Sequence, residues 1–293
     1  MNKIMSTNIT AATAAMAASE IMSNASPSSR VAIVGLGWLG EPLALTLQQL
    51  GYAVAGTTTS ADKASRLTDA GIATLVWDLN APLPALWPQT LSADTLIICV
   101  PPGKVENYAQ RLGEVAHLAA SAGVARLLFT SATSIYSGLG VQREADAKPD
   151  SERGARMQAT EAAMQASGIA KVLCLRLSGL VGGSRDPGRF LAGRSFEGGE
   201  EPINLVAQED LLRLIPALLT RHDWPCVLNV SAPHHPSRDE FYSQAARLRG
   251  LTPPQFSGGG AGKTIDGSAI SRYLGMEYLV GDWFDWLAER NNS

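Results

Sequence analysis

Val31-Ala32-Ile33-Val34-Gly35-Leu36-Gly37-Trp38-Leu39-Gly40 decides the fold. Its first four residues are apolar and largely β-branched, the pattern of a buried strand. Glu41-Pro42-Leu43 follows, then Leu47 and Leu50 on the same helical face, and Gly51 closes the run. Strand, G-x-G-x-x-G and helix in this order make a dinucleotide-binding turn. Gly35 permits the tight turn, Gly37 leaves room for a pyrophosphate to approach the backbone, and Gly40 lets helix and strand pack closely. The helix N-terminus supplies amide donors and a positive dipole end for the phosphates. Trp38 and Leu39, inside the turn, belong to the same candidate cofactor set.

Composition narrows what surrounds this turn. The 293 residues suffice for one large α/β domain or a Rossmann domain with a small lobe. With 45% apolar and 17% charged residues, the chain reads as a soluble globular protein with ample core. A formal net charge of −3 gives no electrostatic case for nucleic acid or an anionic membrane. No apolar run is long enough to span a bilayer. Cys99, Cys174 and Cys226 sit in apolar runs without metal-ligand spacing, which implies buried, reduced thiols and a cytoplasmic location. Residues 1–29 are rich in Ala, Ser, Thr and Asn, and Thr10, Thr13 and Ser19 interrupt any signal-peptide core. A poorly ordered extension is expected there.

From Arg30 onward strand and helix patterns alternate, the mark of an α/β fold, a Rossmann doubly wound parallel sheet of about seven strands. Further strands are expected at Ala53–Gly56, Ala73–Trp77, Thr95–Val100, Arg126–Ser131, Val172–Leu177 and Val227–Val230. Helices are expected near 62–70, 105–122, 152–166, 211–219, 238–249 and 268–274. Glycine and arginine dominate 179–201, which reads as irregular. The dinucleotide-binding domain then spans 30–180, with a core strand returning at 226–231. Residues 181–204 and 232–293 form a small substrate-binding lobe.

The second strand ends in Thr57-Thr58-Thr59, where a NAD site usually carries an acid for the ribose hydroxyls. Hydroxyls there, with Lys63 and Arg66 one helical turn further on, suit a 2′-phosphate, so NADP is favoured over NAD. Asp62 nearby keeps NAD open. Asp78, after the third strand, is a candidate for the adenine edge, and Val100 and Pro101, closing the fourth, complete the cofactor set. His234-His235 lack a third ligand nearby, and no metal is expected.

Phe129-Thr130-Ser131-Ala132-Thr133-Ser134-Ile135-Tyr136 resembles the S-S-x-x-V-Y-G strand end of nucleotide-sugar epimerases and dehydratases, which are extended short-chain dehydrogenases/reductases. Leu175-Arg176-Leu177-Ser178-Gly179-Leu180-Val181-Gly182 is similar to their L-R-x-x-x-x-Y-G stretch, and Asn204–Asp210 to x-x-V-H-V-x-D. Leu228-Asn229-Val230 matches Y-N-V in the same order. The likeness runs from about Arg30 to Leu279 and is nearest to the atypical, YeeZ-like branch, whose glycine spacing Gly35–Gly40 fits; typical extended members have a longer first gap. The opening glycine run also resembles that of β-hydroxyacid dehydrogenases, but those continue into a mostly helical domain, whereas this chain returns to strands at Val172 and Val227.

The resemblance implies a Ser/Thr, a Tyr and a Lys as catalytic set, with the lysine lowering the tyrosine's pKa for proton exchange. In this chain those slots hold Ala132, Arg153 and Met157. An arginine stays protonated and does not shuttle protons at neutral pH. Tyr136, Thr133 and Ser131 are the remaining catalytic candidates at the strand end. Arg153, Arg185 and Arg189, with Arg156 and Arg194, are candidates for an anionic substrate group. The expectation is an oxidoreductase or epimerase-like enzyme for a phosphorylated or nucleotide-linked small molecule, with a non-standard proton donor. The alternative is a dinucleotide-binding sensor without hydride transfer. The family likeness also implies a homodimer through the helices near 105–122 and 152–166.

Overall fold

The computed structural model describes residues 29–291. The extension expected over residues 1–29 therefore lies, apart from Ser29, outside the described residues. The chain runs β1 (Arg30–Val34), α1 (Gly40–Gln49), β2 (Ala53–Thr58), α2 (Ala61–Asp69), β3 (Ala73–Val76), β4 (Thr95–Ile98) and α3 (Tyr108–Ser121). It continues through β5 (Arg126–Ala132), β6 (Gly140–Gln142), α4 (Glu152–Gln165), β7 (Lys171–Leu177), β8 (Gly179–Val181), β9 (Ser195–Glu197) and β10 (Leu205–Ala207). Then come α5 (Gln208–Leu219), β11 (Val227–Val230), α6 (Arg238–Leu248), β12 (Gln255–Ser257), β13 (Lys263–Ile265), α7 (Ser268–Leu274) and α8 (Trp283–Asn291).

Seven strands form one parallel sheet in the order β11-β7-β5-β4-β1-β2-β3. The winding reverses between β1 and β4, which opens a crevice at their carboxyl ends. Both faces of the sheet are covered, so its central strands are continuous apolar runs. On one face Leu43 and Leu47 of α1 and Leu211, Leu214 and Leu218 of α5 pack on Ile33, Ile97 and Leu128. On the other, Tyr108, Leu112 and Val115 of α3 and Met157 and Met164 of α4 cover Val34, Leu96, Ile98 and Phe129. A third cluster, with Ile203, Phe241, Trp283 and Leu287, builds the lobe. Among the described residues no helix is long and apolar enough to cross a membrane.

The structure departs from the sequence expectation at several places, among them the short strands β6, β12 and β13 and the start of α5 at Gln208 rather than Leu211. The helix expected from Val105 begins at Tyr108, because Asn107 adopts a left-handed φ of 46°. Segment 179–201 holds β8, β9 and a 3-10 turn at Pro187–Arg189; its strands pair with β10 and β12, distant partners that leave no local alternation. α8 has no counterpart among the expected helices, and Trp283, Trp286 and Leu287 bury its inner face. Cys226 is exposed, whereas Cys174 is buried and its thiol is pushed up to about 12 by burial.

Asp210, in the first turn of α5, fixes the lobe to the sheet. It is fully buried, and its Oδ1 accepts a hydrogen bond from Leu279 N at 2.6 Å. Burial raises its carboxyl from 3.8 to about 6. The folded carboxyl thus holds its proton more tightly than the unfolded one. Its contribution to stability is greatest below about pH 4 and is lost as pH rises through about 6, a swing on the order of 3 kcal/mol. Asp210→Asn is expected to flatten the pH dependence of urea unfolding across that window; an unaltered slope in the variant would reject the assignment.

Candidate functional site

The glycine turn sorts its residues by what each must tolerate. Gly35 has φ +100°, and a Cβ on it would lie 2.9 Å from Val100 Cγ2. A Cβ on Gly40 would fall 2.1 Å from Gly35 O. These two glycines are required by the protein's own packing. Gly37 is different: a Cβ there would meet nothing within 4 Å. The N-cap of α1, Leu39, makes no side-chain capping bond. Open space beside an uncapped helix N-terminus is the shape that admits a pyrophosphate, so the turn fits a dinucleotide.

The turn opens into a cleft of about 370 Å³ at the carboxyl edge of the sheet. Gly37, Trp38 and Leu39 form one wall, Val100 and Pro101 the next, and Ser131–Ser134 a third. Arg153 and Met157 of α4 face it, as do Ser178–Leu180 and Arg185. Ala132, Arg153 and Met157 therefore share this cleft. The cause is local. Ser151 caps α4 by accepting from Gly154 N at 3.2 Å, and Gly154 sits so close to Ser134 O that a Cβ would lie 2.5 Å away. The first turn of α4 thus lies flush against the 3-10 turn Thr133–Ile135, and positions 153 and 157, one helical turn apart, point the same way.

Tyr136 is not a proton donor to this cleft. It is 1% exposed, donates its phenol hydrogen to Asn229 Oδ1 at 2.6 Å and accepts from Arg176 Nη1 at 2.8 Å. Burial raises its pKa, against the lowering influence of Arg176. Ser131 reaches the cleft but donates to Glu161 Oε1 at 2.5 Å, and Glu161 is ion-paired with Arg176 at 2.8 Å. Thr133 and Ser134 line the cleft, and Ser134 Oγ is buried without a partner. Ser178 Oγ, which no motif marks as a site group, is likewise buried and unpartnered. Lys263 of β13 carries no sequence signal either; it donates to the carbonyls of Thr133 and Tyr136 and holds the turn from outside.

The expected 2′-phosphate group is partly committed elsewhere. Thr57 is buried and its Oγ1 accepts from Gly35 N at 3.0 Å, while Thr58 Oγ1 accepts from Ser60 N. Thr57 thus serves the glycine turn and Thr58 the start of α2; Thr59 is exposed. Lys63 donates to Leu36 O at 3.1 Å and pairs with Glu41 at 2.8 Å, and Arg66 pairs with the same carboxylate at 2.6 Å. Asp78 is exposed beyond β3, its Oδ1 accepting from Asn80 N.

Of the five candidate arginines only Arg153 and Arg185 reach the cleft. Arg189 is turned to solvent beside Asp186, Arg194 lies over Phe196, and Arg156 lines a separate groove with α3. His234 Nδ1 accepts from Trp283 N, and His235 Nδ1 lies against Ile203 O.

A family model described as the NAD binding domain of 6-phosphogluconate dehydrogenase matches residues 30–133. Protein YeeZ of Escherichia coli (strain K12) is 40% identical over 271 residues, which take in 86% of this chain and 97% of that protein. MoeE5, solved with UDP-glucose and NAD, superposes with a TM-score of 0.71 at 21% identity, over 90% of this chain and 100% of that one. UDP-glucuronic acid 4-epimerase from Bacillus cereus, solved with NAD, gives a TM-score of 0.72 at 17% identity, over 90% and 97%. At these identities the structures speak to the fold.

Gly40 and Gly37 are expected to separate experimentally. Gly40→Ala should cost about 1–3 kcal/mol in urea unfolding, since the backbone must yield. Gly37→Ala should leave the unfolding midpoint unchanged yet weaken NAD and NADP binding by about tenfold or more in calorimetry. Equal affinity in Gly37→Ala and wild type would remove the turn from the cofactor site.

Proposed function

Because the chain belongs to the YeeZ family, within the short-chain dehydrogenases/reductases of NAD-dependent epimerase/dehydratase-like fold, we propose that it is an NAD(P)-dependent oxidoreductase for a small anionic carbonyl compound. The observation that carries this reading is the cleft itself, which joins the dinucleotide turn to Thr133, Ser134 and the guanidinium of Arg153. A bound nicotinamide supplies hydride to a carbonyl carbon. The chain's part is to hold the carbonyl oxygen. Ser134 Oγ has its hydrogen-bonding capacity free, and Thr133 stands beside it. Arg153, as a guanidinium in the cleft wall, stabilises negative charge growing on that oxygen without giving up a proton, and the resulting alkoxide takes its proton from solvent water.

This set suits reduction better than epimerisation. Epimerisation begins by taking a proton from a hydroxyl, and the slots where the family likeness implies a phenol and an ammonium hold Arg153 and Met157. A phosphorylated or nucleotide-linked substrate fits the two cleft arginines, and the UDP-sugar carried by MoeE5 supports that class. NADP is favoured over NAD: Lys63 and Arg66 share the single carboxylate of Glu41, which leaves excess positive charge beside the exposed Thr59. The apolar Ala132 and Met157 favour the second reading, a dinucleotide sensor without turnover.

NADPH consumption with a panel of phosphorylated and nucleotide-linked carbonyl compounds tests the choice. Turnover that falls about 100-fold in Arg153→Leu, with NADPH affinity unchanged, is expected; tight NADPH binding without consumption across the panel would favour the sensor. Lys63→Ala is expected to weaken NADP about tenfold and NAD less than twofold, because the lost contact is to a phosphate oxygen. Equal losses for both cofactors would overturn the NADP preference.

A further inference from the structure

The hairpin after β8 is fastened onto the glycine turn. Gly182 and Arg185 exchange backbone hydrogen bonds of 3.0 and 2.9 Å, and Gly182 and Gly183 adopt φ of 95° and 54°. Trp38 Nε1 donates to Gly182 O at 3.1 Å, and Gln208 Nε2 donates to Trp38 O at 2.6 Å. The Arg185 guanidinium then lies over the indole, 4.5 Å from the ring centroid of Trp38. Trp38 immediately follows Gly37, the glycine whose open side nothing among the described residues fills.

Neighbouring cations in this part of the lobe are matched by carboxylates. Asp186 takes Arg189 and Arg249, and Glu209 takes Arg290. Arg185 has no carboxylate partner among the described residues, and burial against its surroundings lowers its pKa while leaving it charged. It lines the same cleft as Gly37 and Ser178, whose hydroxyl is unpartnered on a residue 4% exposed. An indole holds the guanidinium plane by cation–π attraction and leaves its edge donors free for a bidentate anion. The uncapped start of α1 approaches the same space with the positive end of its dipole.

We propose that Arg185 is the second jaw of a phosphate clamp, closing on the pyrophosphate of the dinucleotide opposite the N-terminus of α1, with Trp38 as its platform. The assignment rests on the dinucleotide reading of the glycine turn and moves Arg185 from the substrate to the cofactor. It also gives the position after Gly37 a purpose: Trp38 couples the cofactor turn to the lobe, so an occupied turn and a closed hairpin favour each other.

The test uses the full chain with NAD, NADP, ADP and adenosine as probes in calorimetry. Arg185→Ala is expected to weaken NAD, NADP and ADP by a common factor of about 10–100 and to leave adenosine unchanged. Arg185→Lys should recover part of the loss, since an ammonium restores charge without the fork. Trp38 emission should change when the diphosphate probes bind wild type, with Trp38→Phe as the blank. Wild-type binding of all three diphosphates with equal affinity in Arg185→Ala would overturn the clamp alone. A wild-type chain that binds none of them would overturn the dinucleotide reading beneath it. Urea midpoints equal to that of wild type separate a lost contact from a misfolded variant.

Discussion

Arg176 is the side chain on which the cleft depends. From β7 its guanidinium donates to both carboxylate oxygens of Glu161 on α4, to the phenol of Tyr136 and to the carbonyl of Glu144. Tyr136 passes the connection to Asn229 on β11, and Ser131 on β5 completes it at Glu161. Three strands of the sheet and one helix thus share one hydrogen-bonded network, largely hidden from solvent. A buried ion pair is a poor source of net stability, because removing the charges from water costs about what their attraction returns. Its value lies in position, since any other seating of α4 would strand a buried charge. The network therefore sets where the first turns of α4 meet the strand end of β5.

The contacts that set this placement, Gly154 with Ser134 and Glu161 with Arg176, do not involve the side chains of residues 153 and 157, although Met157 itself packs in the core beneath α4. On the family likeness, Arg153 and Met157 stand where a proton-transfer set is implied while the cleft wall keeps its form, so likeness of fold does not by itself carry likeness of reaction. The glycine turn obeys a separate constraint. Gly35 and Gly40 are fixed by close approach of neighbouring atoms, and Gly37 by nothing among the described residues. One half of the cleft is held by polar burial and the other by steric exclusion, and Trp38 and Gln208 bind the second half to the lobe.

Legibility in the sequence follows the range of the interactions. Most of the seven sheet strands are readable as buried apolar runs, the edge strand β3 as an apolar run that is only partly buried, and the glycine turn because its residues act on one another locally. β8 and β9 are not, since three-residue strands declare themselves only through partners far along the chain. Tyr136 has the sequence of a phenol at a ligand edge; only the neighbouring strands, through Arg176 and Asn229, turn it inward. Lys63 and Arg66 have the spacing of free cations until α1 brings Glu41 between them. Five arginines are equivalent in the sequence, and their places in the fold separate them: Arg189 pairs with Asp186, Arg194 lies over Phe196 and Arg156 lines another groove.

The charges left over after that pairing define the ligand more narrowly than the pattern of residues does. Arg153 and Arg185 are the ionisable side chains of ordinary carboxylate, ammonium or guanidinium type among the described residues lining the cleft, and both are positive. The chain as a whole carries a formal net charge of −3, so this concentration is local and runs against the overall field. Two like charges on one cleft destabilise it when empty and are relieved by anions placed against each. On the proposed reading one anion is the cofactor's pyrophosphate, beside Arg185 over Trp38, and the other is carried by the substrate, beside Arg153 in the same cleft. The first anion bound then relieves the repulsion for both arginines, so through charge alone the second binds no more tightly than the first.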